Sequence, residues 1–496
     1  MQPLRTECND LSELLRIAEQ SSDFRTIAVA SGRRRLLVSY YATMIDEKTL
    51  QSGVIDELQR VGAEDGPETP EELISRIPIA EIEWTDRVAE IQTRLLKGCA
   101  IIRFDERDPR CALVNVATKD GMRKTNDTEN EYSVVGPKVG FVEDLDTNLR
   151  LLRTQINVPN LVVKEISIGS MSRTRVAVIS VAGVTNPQTL QTVEQRLRDI
   201  DFDIVFDSSQ LDQIISDNSL TPFPLFVTTE RRDRVVYALI SGQVAIASDG
   251  SPYFVTGPST LFDFFISPED YYLPWVLGSF FRLIRIVGVV FSLFASAMYV
   301  AIATYHYEVI PRDLLGPLIF SRQNVPFPPV LEVLFLEITI EFLREAGARL
   351  PTKIGQTLGI VGGIVIGQAA VEAGLSSNIL VIIVAFSALA SFATPIYKMS
   401  NAIRFLRFPM IALAGLWGSV GLFIGIGFLL VHITRLTSLG APYTVPIYPL
   451  RAKDLEDSLI RSSYQRLNLR PRFLRPLTRL KFRPKPPERT NGEREE

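Results

Sequence analysis

Histidine and cysteine are scarce in this 496-residue chain, which holds two histidines (His306, His432) and three cysteines (Cys8, Cys99, Cys111). Three cysteines cannot build the disulfide framework of a secreted domain, so the soluble part is expected in a reducing compartment. Two histidines leave little for zinc sites or imidazole catalysis. A basic excess is also missing: the formal net charge is −3, which argues against nucleic acid as a partner. The N-terminus carries charges throughout and has no apolar core of signal-peptide length. Walker-type loops, GxSxG and paired His/Cys spacings are absent. No enzyme, catalytic residue, cofactor or metal is therefore expected.

Apolar mass is what the chain has. Hydrophobic residues make up 46%, charged residues 22%, and the mean hydropathy is +0.15, which excludes a disordered or fibrous chain and points to a membrane portion. The character changes at Ile286, where IVGVVFSLFASAMYVAIAT runs to Thr304 without a charge, long enough to cross a bilayer. Spans are expected at about 286–304, 354–372, 379–397 and 409–433. After the last, residues 451–496 carry 13 Lys and Arg against 7 Asp and Glu. Both ends therefore read as cytoplasmic, which requires an even number of spans. Lys398, Arg404 and Arg407 conflict with that orientation, because four spans would put them outside.

Residues 325–351, VPFPPVLEVLFLEITIEFLREAGARLP, are apolar yet carry Glu332, Glu337, Glu341 and Glu345. The last three share one helical face, opposite Leu336, Ile340 and Leu343. Carboxylates toward lipid are costly, so a helix over 328–347 is expected to lie in the interface, to re-enter, or to face protein or a water cavity. If it spans, the count becomes five.

The 354–373 segment reads IGQTLGIVGGIVIGQAAVEA. Gly355, Gly359, Gly363 and Gly367 recur every four residues, a stripe that lets a neighbouring helix approach backbone to backbone. Gln368 and Glu372 share a face. Copies packed around an axis would line a path with Thr357, Val361, Gln368 and Glu372, a composition suited to cation selectivity. The stripe suits a non-conducting bundle equally well.

Before the membrane, two α/β units are expected. The first has helices at 11–20 and 49–60 and strands at 35–44, 100–103 and 112–117. A polar joint follows at 119–131. The second has strands at 161–167 and 175–181, a helix at 187–200, and a hairpin around Gly242 formed by 234–240 and 244–247. Between the units, residues 136–156 set Phe141, Leu145, Leu149 and Leu152 at helical spacing, with acids early and Arg150 and Arg153 late. This is read either as an ordinary linker helix or as a surface that transmits motion.

The chain resembles the A subunits of the GerA family of bacterial spore germination proteins. The landmarks are EDLDTNL within 136–156, SPEDYY at 267–272, the 325–351 segment, GIVGGIVIGQAAVEAGL at 359–375 and IRFLRFPMI at 403–411. Within the family, ATPIYKMSNAIRFLRFP (393–409) and LTSLGAPYTVPIYPLRAKDLEDSLIR (436–461) are most similar to the stage V sporulation protein AF branch. The resemblance implies the spore inner membrane, a homo-oligomeric ring of A-type subunits, expected to be a pentamer, and a path for monovalent cations. It implies as partners either a small membrane protein, for the AF branch, or the B and C subunits of a germinant receptor.

The expected architecture is thus an α/β cytoplasmic region of two subdomains (1–130 and 131–280), an α-helical polytopic membrane domain (281–436) and a basic cytoplasmic tail (437–496). The expected function is a cation-channel subunit that promotes ion release in germination. A nutrient-gated receptor A subunit and a non-conducting scaffold are the alternatives. A solute carrier is disfavoured because the spans are few and show no inverted repeat.

Overall fold

A computed structural model of the chain describes residues 4, 7–31, 34–63, 74, 77–79, 82–104, 110–118, 131, 135–350, 362–363 and 365–482. Most of the polar joint at 119–131 lies outside these residues.

Strands β1 (Phe24–Ser31), β2 (Arg34–Tyr41), β3 (Ile82–Thr85), β4 (Cys99–Arg103) and β5 (Cys111–Asn115) form an antiparallel sheet in the order β1-β2-β4-β5-β3. Helix α1 (Leu11–Ala18) and α2 (Val88–Leu95) share a core with one face of it, and the helical run over 47–63 packs on the other. The second unit repeats the plan. Strands β6 (Leu161–Ile168), β7 (Thr174–Val181), β8 (Val227–Thr229), β9 (Val244–Ser248) and β10 (Phe254–Gly257) pair antiparallel as β6-β7-β9-β10-β8. Helices α3 (Leu145–Gln155), α4 (Pro187–Arg198), α5 (Ser208–Ile214) and α6 (Arg232–Ser241) accompany this sheet. Relabelled from one, both sheets have the order 1-2-4-5-3, so one element plan occurs twice in tandem.

The hairpin expected around Gly242 is corrected: residues 232–241 are helix α6. Gly242 adopts φ 106°, and its amide and that of Gln243 both donate to the Ala238 carbonyl. This is the left-handed cap that ends a helix, and valine and tyrosine on α6 gave it strand-like composition. At the joint, Asp144 caps α3 by accepting from the Thr147 amide, and α3 sends Arg153 into the first unit. Arg153 Nε donates to Asp23 Oδ2 at 2.6 Å and its guanidinium lies 4.1 Å from the Tyr41 ring centroid; Arg153 and Asp23 are both buried. Burial, the largest single influence, would raise the Asp23 carboxyl, but the Arg153 charge together with hydrogen bonds from Arg153, Ser21 and Thr43 holds the acid below its ordinary value.

The helical domain contains α7 (Trp275–Tyr305), α8 (Arg312–Arg322), α9 (Pro329–Arg349), a helical stretch at 365–372, α10 (Asn378–Phe392) and α11 (Tyr397–Arg435). Two of these, α7 and α11, are long and apolar enough to cross a membrane. The single run expected over 409–433 is divided. At Gly418, with φ 59° and ψ −138°, the helical geometry of α11 breaks. The chain doubles back there: a Cβ at Gly425 would sit 2.6 Å from the Met410 sulfur, fifteen positions earlier. Both limb ends meet the second α/β unit, through Lys398 Nζ and Asp212 at 2.5 Å and through His432 Nε2 and the Thr221 hydroxyl at 2.9 Å.

Contacts along the bundle give each helix a direction. Rising along α7, Ser292 meets Arg407 and Tyr305 meets Gly415, so α7 runs parallel to the first limb of α11. Helix α9 runs against that limb, with Arg344 near Asn401 and Val330 against Gly415. Helix α10 runs against α7, since Ser377 is near Tyr299 and Ser387 donates to the Ser292 carbonyl. The stretch leading through 365–372 runs from Leu343 toward Asn324. Among the described residues the chain thus traverses the bundle six times, and the α/β units and the tail share one end. Residues 328–347 belong to one full traverse of the bundle, and 409–433 contains a reversal.

Candidate functional site in the helical bundle

The bundle is closed by serine and by charges drawn from helices far apart in sequence. Ser292 and Ser296 fall one turn apart on α7 and face inward. The Ser296 hydroxyl donates to Glu337 Oε1 at 2.6 Å, Arg407 Nη1 pairs with Glu337 Oε2, and Arg407 Nη2 donates to the Ser292 hydroxyl at 2.7 Å. All four side chains are buried. A charge inside an apolar bundle is held by a counter-charge and by hydrogen bonds; this cluster supplies the counter-charge and fills both Nη positions of Arg407, while its Nε is without a partner among the described residues. One turn further along α9, toward its start, Glu332 accepts from the Ser377 amide at 2.7 Å and lies 3.4 Å from Arg322 of α8.

The acidic face of α9 therefore grades from core to surface. Glu337 is buried, Glu341 pairs with Arg344 at 2.6 Å and lies 3.9 Å from Arg404, and Glu345 pairs with Arg349 at the exposed end. Of the three placements open from sequence, contact with protein is the observed one for Glu337. The face is not opposite all of the apolar residues named with it, since Leu336 is buried beside Glu337.

Gly355, Thr357, Gly359 and Val361 lie outside the described residues. Of the remaining candidates on that segment, a Cβ at Gly363 would meet nothing within 4 Å, and one at Gly367 would lie 3.9 Å from Val381. Gln368 donates to Glu372 at 2.8 Å, and both are exposed. Among the described residues, Gly363, Gln368 and Glu372 are thus exposed, and none of them joins the Glu337 cluster.

Sequence reasoning missed the partners. Lys398, Arg404 and Arg407 had been weighed as flanking charges, yet Arg404 and Arg407 turn into the bundle. Their spacing of one turn, matching that of Glu337 and Glu341, was the available signal. Arg282 and Arg285, basic residues just before the apolar run at Ile286, also find acidic partners. Both pair with Asp270 of the SPEDYY segment at 3.1 Å, and Arg282 also lies 3.4 Å from Asp457 of the tail. Among the described residues, no group of His, Cys, Asp and Glu is arranged to hold a metal ion.

Residues 11–473 match the family model described as Bacillus/Clostridium GerA spore germination protein. The chain is 46% identical over 479 residues to spore germination protein GerQA of Bacillus cereus, covering 97% of this chain and 95% of that one. It is 36% identical to spore germination protein KA of Bacillus subtilis (strain 168), covering 86% and 78%. A membrane protein of the same bacterium, YfkQ, is 33% identical over 82% and 78%. Among solved structures, the crystal structure of the N-terminal domain of the A subunit of the Bacillus megaterium spore germinant receptor GerK3 matches with 25% identity and a TM-score of 0.39, over 52% of this chain and 99% of that one.

Proposed function

The chain belongs to the Bacillus/Clostridium GerA spore germination protein family, and from that premise we propose that it is the A-type membrane subunit of a germinant receptor whose oligomeric helical domain conducts cations. The observation that carries the receptor reading is the match at 46% identity over 97% of the chain to a spore germination protein. The apolar helices α7 and α11, and a relative named as a membrane protein, support insertion in the spore inner membrane. The α/β units and the tail would then both be cytoplasmic.

For conduction, the support is the face at 363–372. Among the described residues, a Cβ at Gly363 meets nothing within 4 Å and the Gln368–Glu372 pair is exposed, and close approach at glycine suits a second copy. A ring of such copies, pentameric by the family resemblance, would present Glu372 to a central path for monovalent cations. The receptor reading implies B and C subunits as partners. The AF branch, favoured by 393–409 and 436–461, implies a small membrane partner instead, and co-purification separates the two. No reaction is assigned.

Ion flux in liposomes, with partner subunits present, tests this function beside a Glu372→Gln variant. Cation flux that falls or loses selectivity in the variant is the expected result. Flux that ignores Glu372 moves the path elsewhere, and no flux with partners present leaves the scaffold reading.

A further inference from the structure

After α11, the tail does not leave the molecule but folds back over α6. Between them lies a cavity of about 770 Å³, within the usual range for small-molecule sites of about 300–1,000 Å³. Its walls are largely apolar, and Ile240, Leu469 and Phe482 remain 40%, 50% and 41% exposed. Apolar surface left open inside a fold is the mark of a binding site rather than of a core.

The charges around it are unevenly satisfied. Asp457 accepts from the Tyr237 and Tyr271 hydroxyls and pairs with Arg282; Asp233 pairs with Arg231; Asp263 caps the Thr260 turn; Asp454 accepts from the Arg472 amide through Oδ1, its Oδ2 having no partner among the described residues. Lys481 and Arg470, both from the tail, differ. Lys481 Nζ lies 4.8 Å from the Tyr237 ring centroid and 3.3 Å from the Ser241 hydroxyl. Buried Arg470 donates only to the carbonyls of Ile240, Thr478 and Leu480. Among the described residues, neither cation has an ion pair.

We propose that this cavity binds a small amphipathic anion, its apolar body against Ile240, Leu469 and Phe482 and its acid group on Lys481 and Arg470. The roof is the tail and the floor carries Tyr271, whose partner Asp457 also holds Arg282 at the start of α7. An occupant would thus bear on the junction between the tail and the first helix of the bundle.

Burial pulls the Lys481 ammonium down to about 8, against the opposing attraction of Asp457 and with the repulsion of Arg470. Tyr237 and Tyr271 are pushed upward by burial and stay protonated. Among the facing acids, burial would raise Asp233 but Arg231 holds it below its ordinary value, and Asp263 is pushed upward by burial. Lys481 is the facing cation that changes charge near neutrality, and anion binding should weaken as pH rises through about 8.

The probe is 4-(trifluoromethyl)benzoate, followed by fluorine NMR against the full chain in phosphatidylcholine nanodiscs, with the neutral benzyl alcohol analogue beside it. The benzoate should bind. Lys481→Met should weaken it about tenfold or more and remove its pH dependence, and Lys481→Arg should bind without that dependence. Ile240→Trp, which fills the cavity and keeps the backbone carbonyl to which Arg470 donates, should abolish binding. No binding, equal binding of the alcohol, or binding untouched by Lys481→Met or by Ile240→Trp would each overturn the proposal.

Discussion

An arginine inside an apolar helix must find its counter-charge before the helix can be buried, and Arg407 finds Glu337 seventy positions earlier. Removing one partner strands the other, so Arg407→Met should destabilise the chain by about 3–5 kcal/mol, and adding Glu337→Leu should recover most of the loss. Thermal unfolding in detergent measures both, and a double variant no better than the single one would contradict the pairing. The second buried pair, Arg153 with Asp23, carries a pH signature. The folded Asp23 acid lies below its ordinary 3.8, so its stabilisation is complete above that value and is lost as pH falls through the folded value. The gap in melting temperature between the parent and Asp23→Asn should therefore be full at neutral pH and close on acidification below about 4. A gap that persists to the lowest measurable pH would show that Asp23 acts through packing alone.

At the scale of the element, two glycines separate folding from assembly. Gly418 turns α11 back on itself at positive φ, and any Cβ there would sit 2.9 Å from the Tyr305 ring. Gly363 sits in ordinary helix with nothing within 4 Å. Gly418→Leu should thus unfold or misfold the protomer, at a cost of at least about 1–3 kcal/mol. Gly363→Leu should leave the protomer's melting temperature nearly unchanged while lowering its oligomeric state on native gels. If both behaved alike, the division between the two roles would fail. Helix α6 teaches a related lesson: adjacent Val235 and Val236, followed by Tyr237, suggested a strand, and the cap at Gly242 marks the end of a helix.

For the whole molecule, six traverses put the α/β units and the tail at one end. In a background without Cys8, Cys99 and Cys111, a cysteine at Val309, exposed between α7 and α8 at the far end, should react with a membrane-impermeant maleimide from outside. Cysteines at Leu220 and Leu439 should react only after permeabilisation. Reaction of Leu439 together with Val309 would mean an odd number of crossings. The same geometry explains why flux should respond to Glu372→Gln: the Gln368–Glu372 pair is exposed, whereas Glu337 is locked inside the protomer.

Much of the molecule was open to a sequence reading because hydrophobic runs, alternation and caps act within a few residues. The apolar onset near Ile286, the strands at 35–44, 100–103, 161–167 and 175–181, the helix after Asp144 and the family landmarks are all local signals. Glu337, Glu341, Gln368 and Glu372 could be picked out for the same reason, as polar groups set in apolar surroundings. Their partners could not. Whether Arg407 flanks a membrane or neutralises Glu337 depends on which helices pack, and the reversal at Gly418 lies in a stretch apolar on both sides, where hydropathy registers no break. Sequence by itself determined composition, family and the type of those elements whose pattern is local, α6 excepted. Only the tertiary structure decided which charges are partners, how many times the chain crosses the bundle and that the tail roofs a cavity, because those outcomes rest on contacts between residues tens to hundreds of positions apart.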